Sequence, residues 1–340
     1  MSFFRRKMMM YAAMNKSIPG FVGGWNAYGR SNTEDASTRD ILYDYSGNNR
    51  HIKLYNFAFS GMSGWNGYNY SLTNMTSQSS NGYRGIIKLT SSKLEITNVK
   101  YPLNLIETTN SVAVPIIKIR VSGLANGAQL RYGSSLDIAG YIYMPNDGEY
   151  ELKSKSENYV GFSIQNFIGN CNITVELLPV YPGGLVSDGI DDNGICEKDF
   201  SLPDDYTIVT IRKYISEIFN ENQALIGKSA GYNRGSFIFE YGSNKTYSFG
   251  QINNINYANL FSYQSKLSYN GQPILAGTAT DSNNDKLSFF TIRPNYEGHA
   301  SVALYDLRIY DHSLTEEELA MVKADMIANY EKNTGNKFTE

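Results

Sequence analysis

The chain has 340 residues, 41% hydrophobic and 19% charged, with a formal net charge of −3. That is enough apolar material for two domains, or for one large β domain with an insertion, and it excludes a disordered chain. The slight acidity and the lack of a long basic run exclude duplex nucleic acid as a partner.

Residues 1–17, MSFFRRKMMMYAAMNKS, open the chain. Arg5, Arg6 and Lys7 precede a short apolar run that begins Met8-Met9-Met10 and ends at Asn15. The run is shorter than an export signal and lacks a cleavage site. It reads instead as a basic, Met-rich arm, because Met adapts to irregular grooves on a partner protein. No later stretch has the ~18 apolar residues that a membrane span needs.

A Gly- and Asn-rich opening with Trp25 follows. The 27 Tyr, 16 Phe and 30 Gly favour strands joined by tight turns from here on. ILYDYSGNNRHIKLYNFAF (41–59) reads as strand, turn and strand, with Gly47, Asn48 and Asn49 free to take positive φ. Residues 61–82 are loop-like. Residues 86–179 carry about eight short strand candidates between Gly, Asn and Asp turns, which suits an inserted β-sandwich. Within it MPNDGEYEL (144–152) reads as a hairpin about Asn146-Asp147-Gly148. YPGGLVSDGIDDNGICEKDF (181–200) resets the pattern, and further strands follow at 8- to 15-residue spacing, as in an antiparallel sandwich. VALYDLRIYD (302–311) alternates as a strand. A helix comes after it. Thr315-Glu316-Glu317-Glu318 fits a capping box, the acids suit the helix dipole, and Leu319, Val322, Met326 and Tyr330 form one apolar stripe. Asn333, Gly335 and Asn336 end it.

Three of these stretches, LYDYSGNNRHIKLYNFAF, LVSDGIDDNGICEKDF and VALYDLRIYDHSLTEEEL, resemble landmarks of the laminin-G-like, or concanavalin-A-like, jelly-roll family. The resemblance covers about residues 20–85 and 183–332. It implies an all-β fold: an antiparallel jelly-roll sandwich split over 18–85 and 183–332, an inserted small β-sandwich domain over 86–182, a C-terminal helix and a tail over 333–340. The start Phe4-Arg5-Arg6-Lys7-Met8-Met9-Met10 is similar to those of virion structural proteins from phages of gut Bacteroidales, the crass-like phages among them. This second resemblance implies a head-fibre or tail component, made in the host cytoplasm and carried on the virion. Arg5, Arg6, Lys7, Met8, Met9 and Met10 would then bind other virion proteins, and the protein would form a homo-oligomer.

Enzymes of the jelly-roll kind use paired carboxylates on one strand, in an E-x-D-x-x-E string. The nearest string here is Glu149-Tyr150-Glu151, which lacks the third acid and reads as surface charge. His51, His299 and His312 lie in separate segments without a serine or cysteine elbow, and no phosphate-binding loop is present. The expectation is a protein without catalysis. Asp188, Asp191 and Asp192 are a candidate Ca²⁺ set, against a reading as an ordinary Asp-rich turn. Asp44 with Asn48 poses the same choice, and the turn is favoured. Trp25, Trp65, Tyr68 and Tyr70 are candidate sugar-stacking rings, against a reading as core or subunit contacts. Cys171 and Cys196 are too few for a disulfide framework and read as buried thiols. The expected role is a virion structural protein, with a free or cell-surface carbohydrate-binding, lectin-like module as the alternative.

Overall fold

The computed structural model describes residues 18–68, 70–77, 86–99, 103–108, 116–134, 138–153, 159–165, 171–198, 206–215, 223–230, 233–243, 246–249, 261–265, 268–269, 272–273, 286–291 and 299–339. The arm over 1–17, with Arg5, Arg6, Lys7, Met8, Met9 and Met10, lies outside them. The fold is mostly β, with several antiparallel sheets and one long C-terminal helix. It divides into two compact units. The first takes in the described residues up to Phe59, then Ser63–Gly67, then those from Tyr181 onward. The second is Ser60–Met62 and Tyr68–Val180.

Two sheets of the first unit share one hydrophobic core. One sheet runs Phe261–Ser265, Thr207–Tyr214, Ser301–Tyr310, Leu185–Asp188, Gly64–Trp65, and Phe21–Asn26 also pairs with Ser301–Tyr310. The other runs Ile41–Leu42, Ile52–Tyr55, Asn193–Cys196, Ser288–Phe289, Gln223–Ala230, Asn233–Ser243, Thr246–Phe249. Alternation places Ile52, Leu54 and Phe289 from one sheet against Ile208, Val302 and Leu304 from the other.

The strand Ser301–Tyr310 does not alternate throughout. Its pairing with Thr207–Tyr214 shifts register between Ile211 and Arg212, so that Leu304 faces Arg212 and Asp306 faces Ile211. This bulge inserts Tyr305 as an extra residue. Val302 and Leu304 before it, and Leu307 and Ile309 after it, all reach the core as a result. Tyr305, Asp306 and Arg308 are left for the opposite face, where Tyr305 meets Tyr330 of the helix at 4.9 Å. The helix, Glu316–Thr334, has the expected capping box. The Glu318 amide donates to Thr315 Oγ1 at 3.2 Å, and the Thr315 amide donates to Glu318 Oε2 at 2.9 Å. Val322, Met326 and Tyr330 are buried, whereas Leu319 is only half-buried. Gly335 ends the helix at φ 73°, a left-handed position that costs a glycine nothing.

In the second unit two five-stranded sheets also share one core. One runs Ile142–Met144, Gln129–Ser134, Val160–Gln165, Leu103–Thr108, Met75–Ser77. The other runs Gly148–Leu152, Ile117–Ser122, Cys171–Leu177, Lys93–Val99, Ile86–Leu89. Two sequence expectations change here. Beyond the short piece Ser60–Met62, the unit begins at Tyr68 rather than at 86, with Tyr70, Leu72 and Met75 in its core. The hairpin over 144–152 is not formed. Ile142–Met144 joins one sheet and Gly148–Leu152 the other, so the segment is a crossover between sheets. Pro145 cannot donate to a ladder, and Asp147 accepts instead from the amides of Gly123 and Leu124 at 2.9 and 2.8 Å. The strand Leu103–Thr108 is an addition that the sequence reading missed.

Candidate functional site

The acidic loop of the first unit runs from Asp188, the end of one sheet's strand, to Asp192, just before Asn193–Cys196 in the other sheet. Carboxylate oxygens of Asp188, Asp191 and Asp192 lie within 4.8 Å of one another. Asp192 is completely buried, whereas Asp191 is exposed. Much of the bonding capacity is engaged. Asp192 Oδ1 accepts from Ser63 Oγ at 3.0 Å and Oδ2 from the Asp188 amide at 2.9 Å. Asp188 Oδ1 accepts from the Ile190 amide at 2.8 Å. These are the bonds of an Asp-rich turn.

Burial, and then the negative charge of Asp188, push the Asp192 acid up to about 8 against the opposing pull of the Asp188 amide and Ser63. Near neutral pH this favours the protonated, uncharged form of Asp192. The donor set suits a hard dication chemically. Any such ion has to displace the Asp192 proton first, so its binding strengthens with rising pH.

Asp44 is a turn residue in full. Its Oδ1 accepts from the amides of Gly24 at 3.1 Å and Ser46 at 2.8 Å, and its Oδ2 from Arg50 at 2.9 Å. Asn48 donates to the Val22 carbonyl at 3.1 Å. The turn thereby ties the first strand to the 41–55 segment.

The candidate sugar-stacking rings are corrected by burial. Trp25 and Trp65 are both 0% exposed. Trp25 meets Phe289 edge-on at 5.2 Å and donates from Nε1 to the Arg50 carbonyl at 2.8 Å. Gly23 makes room for it, since a Cβ there would lie 2.4 Å from the indole. Trp65 donates to the Arg39 carbonyl at 3.0 Å and lies under the Arg30 guanidinium at 4.2 Å. In the second unit Tyr70 is 2% exposed and Tyr68 half-buried. A ring stacks on a sugar only through an open face, and the two indoles and Tyr70 have none.

The remaining candidates serve the scaffold. Glu149 and Glu151 are exposed and pair across strands with Arg120 at 2.7 Å and Lys118 at 3.9 Å. His51 Nδ1 accepts from the Asp44 amide, His299 Nδ1 contacts the Asp192 carbonyl, and His312 contacts Asp311 and Glu318. Cys196 is a free, buried thiol, with its proton affinity raised by burial.

The sequence reading missed a buried ionic cluster. Arg308 pairs with Asp306 at 3.0 Å and with Asp325 of the helix at 2.6 Å, and Tyr45 Oη donates to Asp306 Oδ1 at 2.7 Å. Burial disfavours the charged guanidinium, but Asp306, Tyr45 and Asp325 outweigh it and hold Arg308 well above its ordinary value. The available signal was an Asp-x-Arg pair on a strand otherwise rich in core residues. No protein-family model matches the chain, and no curated protein sequence matches it.

Proposed function

We propose that this is a non-enzymatic virion structural protein of a phage, a capsid-attached fibre, decoration or tail component, whose first unit is a laminin-G-like jelly roll and whose N-terminal arm attaches it to other virion proteins. The observation that carries this reading is the use of the distinctive polar and aromatic side chains as framework. Both tryptophans, Asp44, Arg30 and the Arg308 cluster hold the first unit together. The second unit closes its own core and matches its outer charges in rows: Glu149 opposite Arg120, Arg120 opposite Glu176, Glu176 opposite Lys93. Opposite charges facing one another across strands stabilise that sheet.

The test is quantitative mass spectrometry of purified particles, with wild-type protein and with residues 1–17 removed. A fixed ratio of copies to major capsid protein, lost on trimming while the circular dichroism spectrum is kept, is the expected result. Absence of the wild-type protein from particles, or full occupancy by the trimmed form, overturns the reading.

A further inference from the structure

Large apolar side chains left open include Tyr143 of the second unit, 49% exposed, and Met321 of the first, 53% exposed. Met321 belongs to a wider pattern. It lies on the C-terminal helix, Glu316–Thr334, away from the buried stripe Val322, Met326, Tyr330. At about 100° per residue, Glu317, Ala320, Met321, Ala324 and Ala328 share one face opposite that stripe. All five are exposed. A helix lying on a sheet ordinarily turns a charged face to water, yet four of these five are apolar. Alanines alone would satisfy helix propensity. The open Met321 among them, and the chain that lies near, single out a partner.

That chain is the protein's own. The Gly20 carbonyl accepts from the Asp311 amide at 2.9 Å, so the described residues start, at the buried Ile18, beside the strand end from which the helix departs. The 17 residues before Ile18 hold Arg5, Arg6, Lys7 and Lys16 and no acid, with the apolar run over 8–14 between them. Residues 311–340 hold seven carboxylates against three lysines. Glu316 and Glu317 at the helix start are exposed. The two segments are thus opposite in net charge, and each presents an apolar run. Reach permits the match. At ~3.3 Å per residue, Met14 stands up to about 13 Å and Met8 up to about 33 Å from Ile18. The helix face from Glu317 to Ala328 is only about 17 Å long.

We propose that this helix face is the seat of the chain's own N-terminal arm. The run over 8–14 covers Ala320, Met321, Ala324 and Ala328, and the basic side chains meet the carboxylates of 311–340. Methionine, unbranched and adaptable, fits the shallow relief that alanines leave on a helix. A short tether gives the arm an effective concentration in the millimolar range at this face, so weak contacts hold it and a second copy has to compete. The seat also bears on attachment, a part that rests on the proposed function: virion proteins have to draw the arm off the helix, so the Met run is covered until assembly. The seat itself does not depend on that reading.

The test uses the full chain alone, without particles. Trypsin cleavage after Arg5, Arg6 and Lys7 is timed by mass spectrometry. The double variant Glu317→Lys with Met321→Lys, altered at two exposed helix positions, is expected to be cut at these sites at least about tenfold faster than the wild type. Glu149→Lys, in the second unit, is expected to be cut at the wild-type rate, and circular dichroism verifies that each variant folds. A benzophenone amino acid in place of Met9 then maps the contact. Irradiation is expected to join the arm to helix peptides and, in a mixture of light and heavy-isotope chains, to join them within one chain. Equal cleavage of the wild type and the double variant, or photoproducts away from the helix, overturns the seat. Light-to-heavy photoproducts on the helix overturn the placement within one chain and assign the face to the arm of a second copy. Particle occupancy tests attachment separately, so failure of either reading leaves the other decided on its own result.

Discussion

Replacing Trp25 by alanine separates a core role from a ligand-binding one. Trp25 is 0% exposed, packs edge-on against Phe289 at 5.2 Å and donates to the Arg50 carbonyl at 2.8 Å. Truncating a buried indole removes its transfer energy and leaves a cavity, together roughly 3–5 kcal/mol. For a unit of this size that lowers the midpoint of thermal unfolding by roughly 6–20 °C. The chain has two tryptophans, both in the first unit. Trp65 fluorescence in the Trp25→Ala protein therefore follows the first unit alone, while far-ultraviolet circular dichroism follows both. The expected result is a fluorescence transition shifted down, with the second unit melting where it did. Trp25→Phe keeps a ring against Phe289 but leaves the Arg50 carbonyl without the indole donor, which costs about 1–3 kcal/mol. A loss below about 1 kcal/mol in Trp25→Ala would refute the core assignment and reopen a surface role for the ring.

Arg308→Met leaves Asp306 buried with Tyr45 as its remaining named partner, and is expected to cost about 3–5 kcal/mol in urea unfolding followed by tryptophan fluorescence. A change under about 1 kcal/mol would mean that the cluster is solvated in solution. Asp192 sets a pH dependence. Its folded-state value of about 8 lies above the ~3.9 of an unfolded aspartate, so between about pH 4 and pH 8 the folded state holds a proton that the unfolded state releases. Unfolding free energy therefore falls as pH rises through that window and levels off above it. Asp192→Asn is expected to flatten the slope. Unfolding at pH 5 and pH 8.5 measures it, and equal slopes in the two proteins contradict the assignment.

The sequence made legible what short spacing determines. The capping box at Thr315 and Glu318, the stop at Gly335 and the stripe Leu319, Val322, Met326, Tyr330 involve residues at most a few helical turns apart, and they appear as read except that Leu319 is only half-buried. The turn about Asp44 belongs with them in part: its bonds from the Ser46 and Arg50 amides are local, whereas the bond from the Gly24 amide reaches another strand. What escaped depends on partners distant in the chain. The 144–152 stretch has a hairpin's local signal, yet Pro145 and the amides at Gly123 and Leu124 turn it into a crossover. The bulge at Tyr305 was visible in principle. Apolar residues at 302 and 304, then at 307 and 309, skip a step that strict alternation would keep.

The aromatic residues show why surface chemistry was the hardest feature to read. Trp25 and Trp65 sit among glycines and asparagines, a setting that suggests an exposed loop, but small neighbours are also what lets a backbone close over a large ring. Gly23 beneath Trp25 is such a case. Tyr143 sits in a short regular strand with nothing local to mark it. Its outward direction follows from parity, although the same parity leaves Ser163, opposite Arg131, buried. Met144 and Leu130 occupy the core, and the side chain one step away has to face out beside Arg131. The direction of a side chain in a sheet is thus decided by register, which depends on strands far apart in the chain. The composition of the surrounding loop says little about it, so the search for ligand contacts belongs on the outward rows of regular strands as much as in the Gly-rich turns.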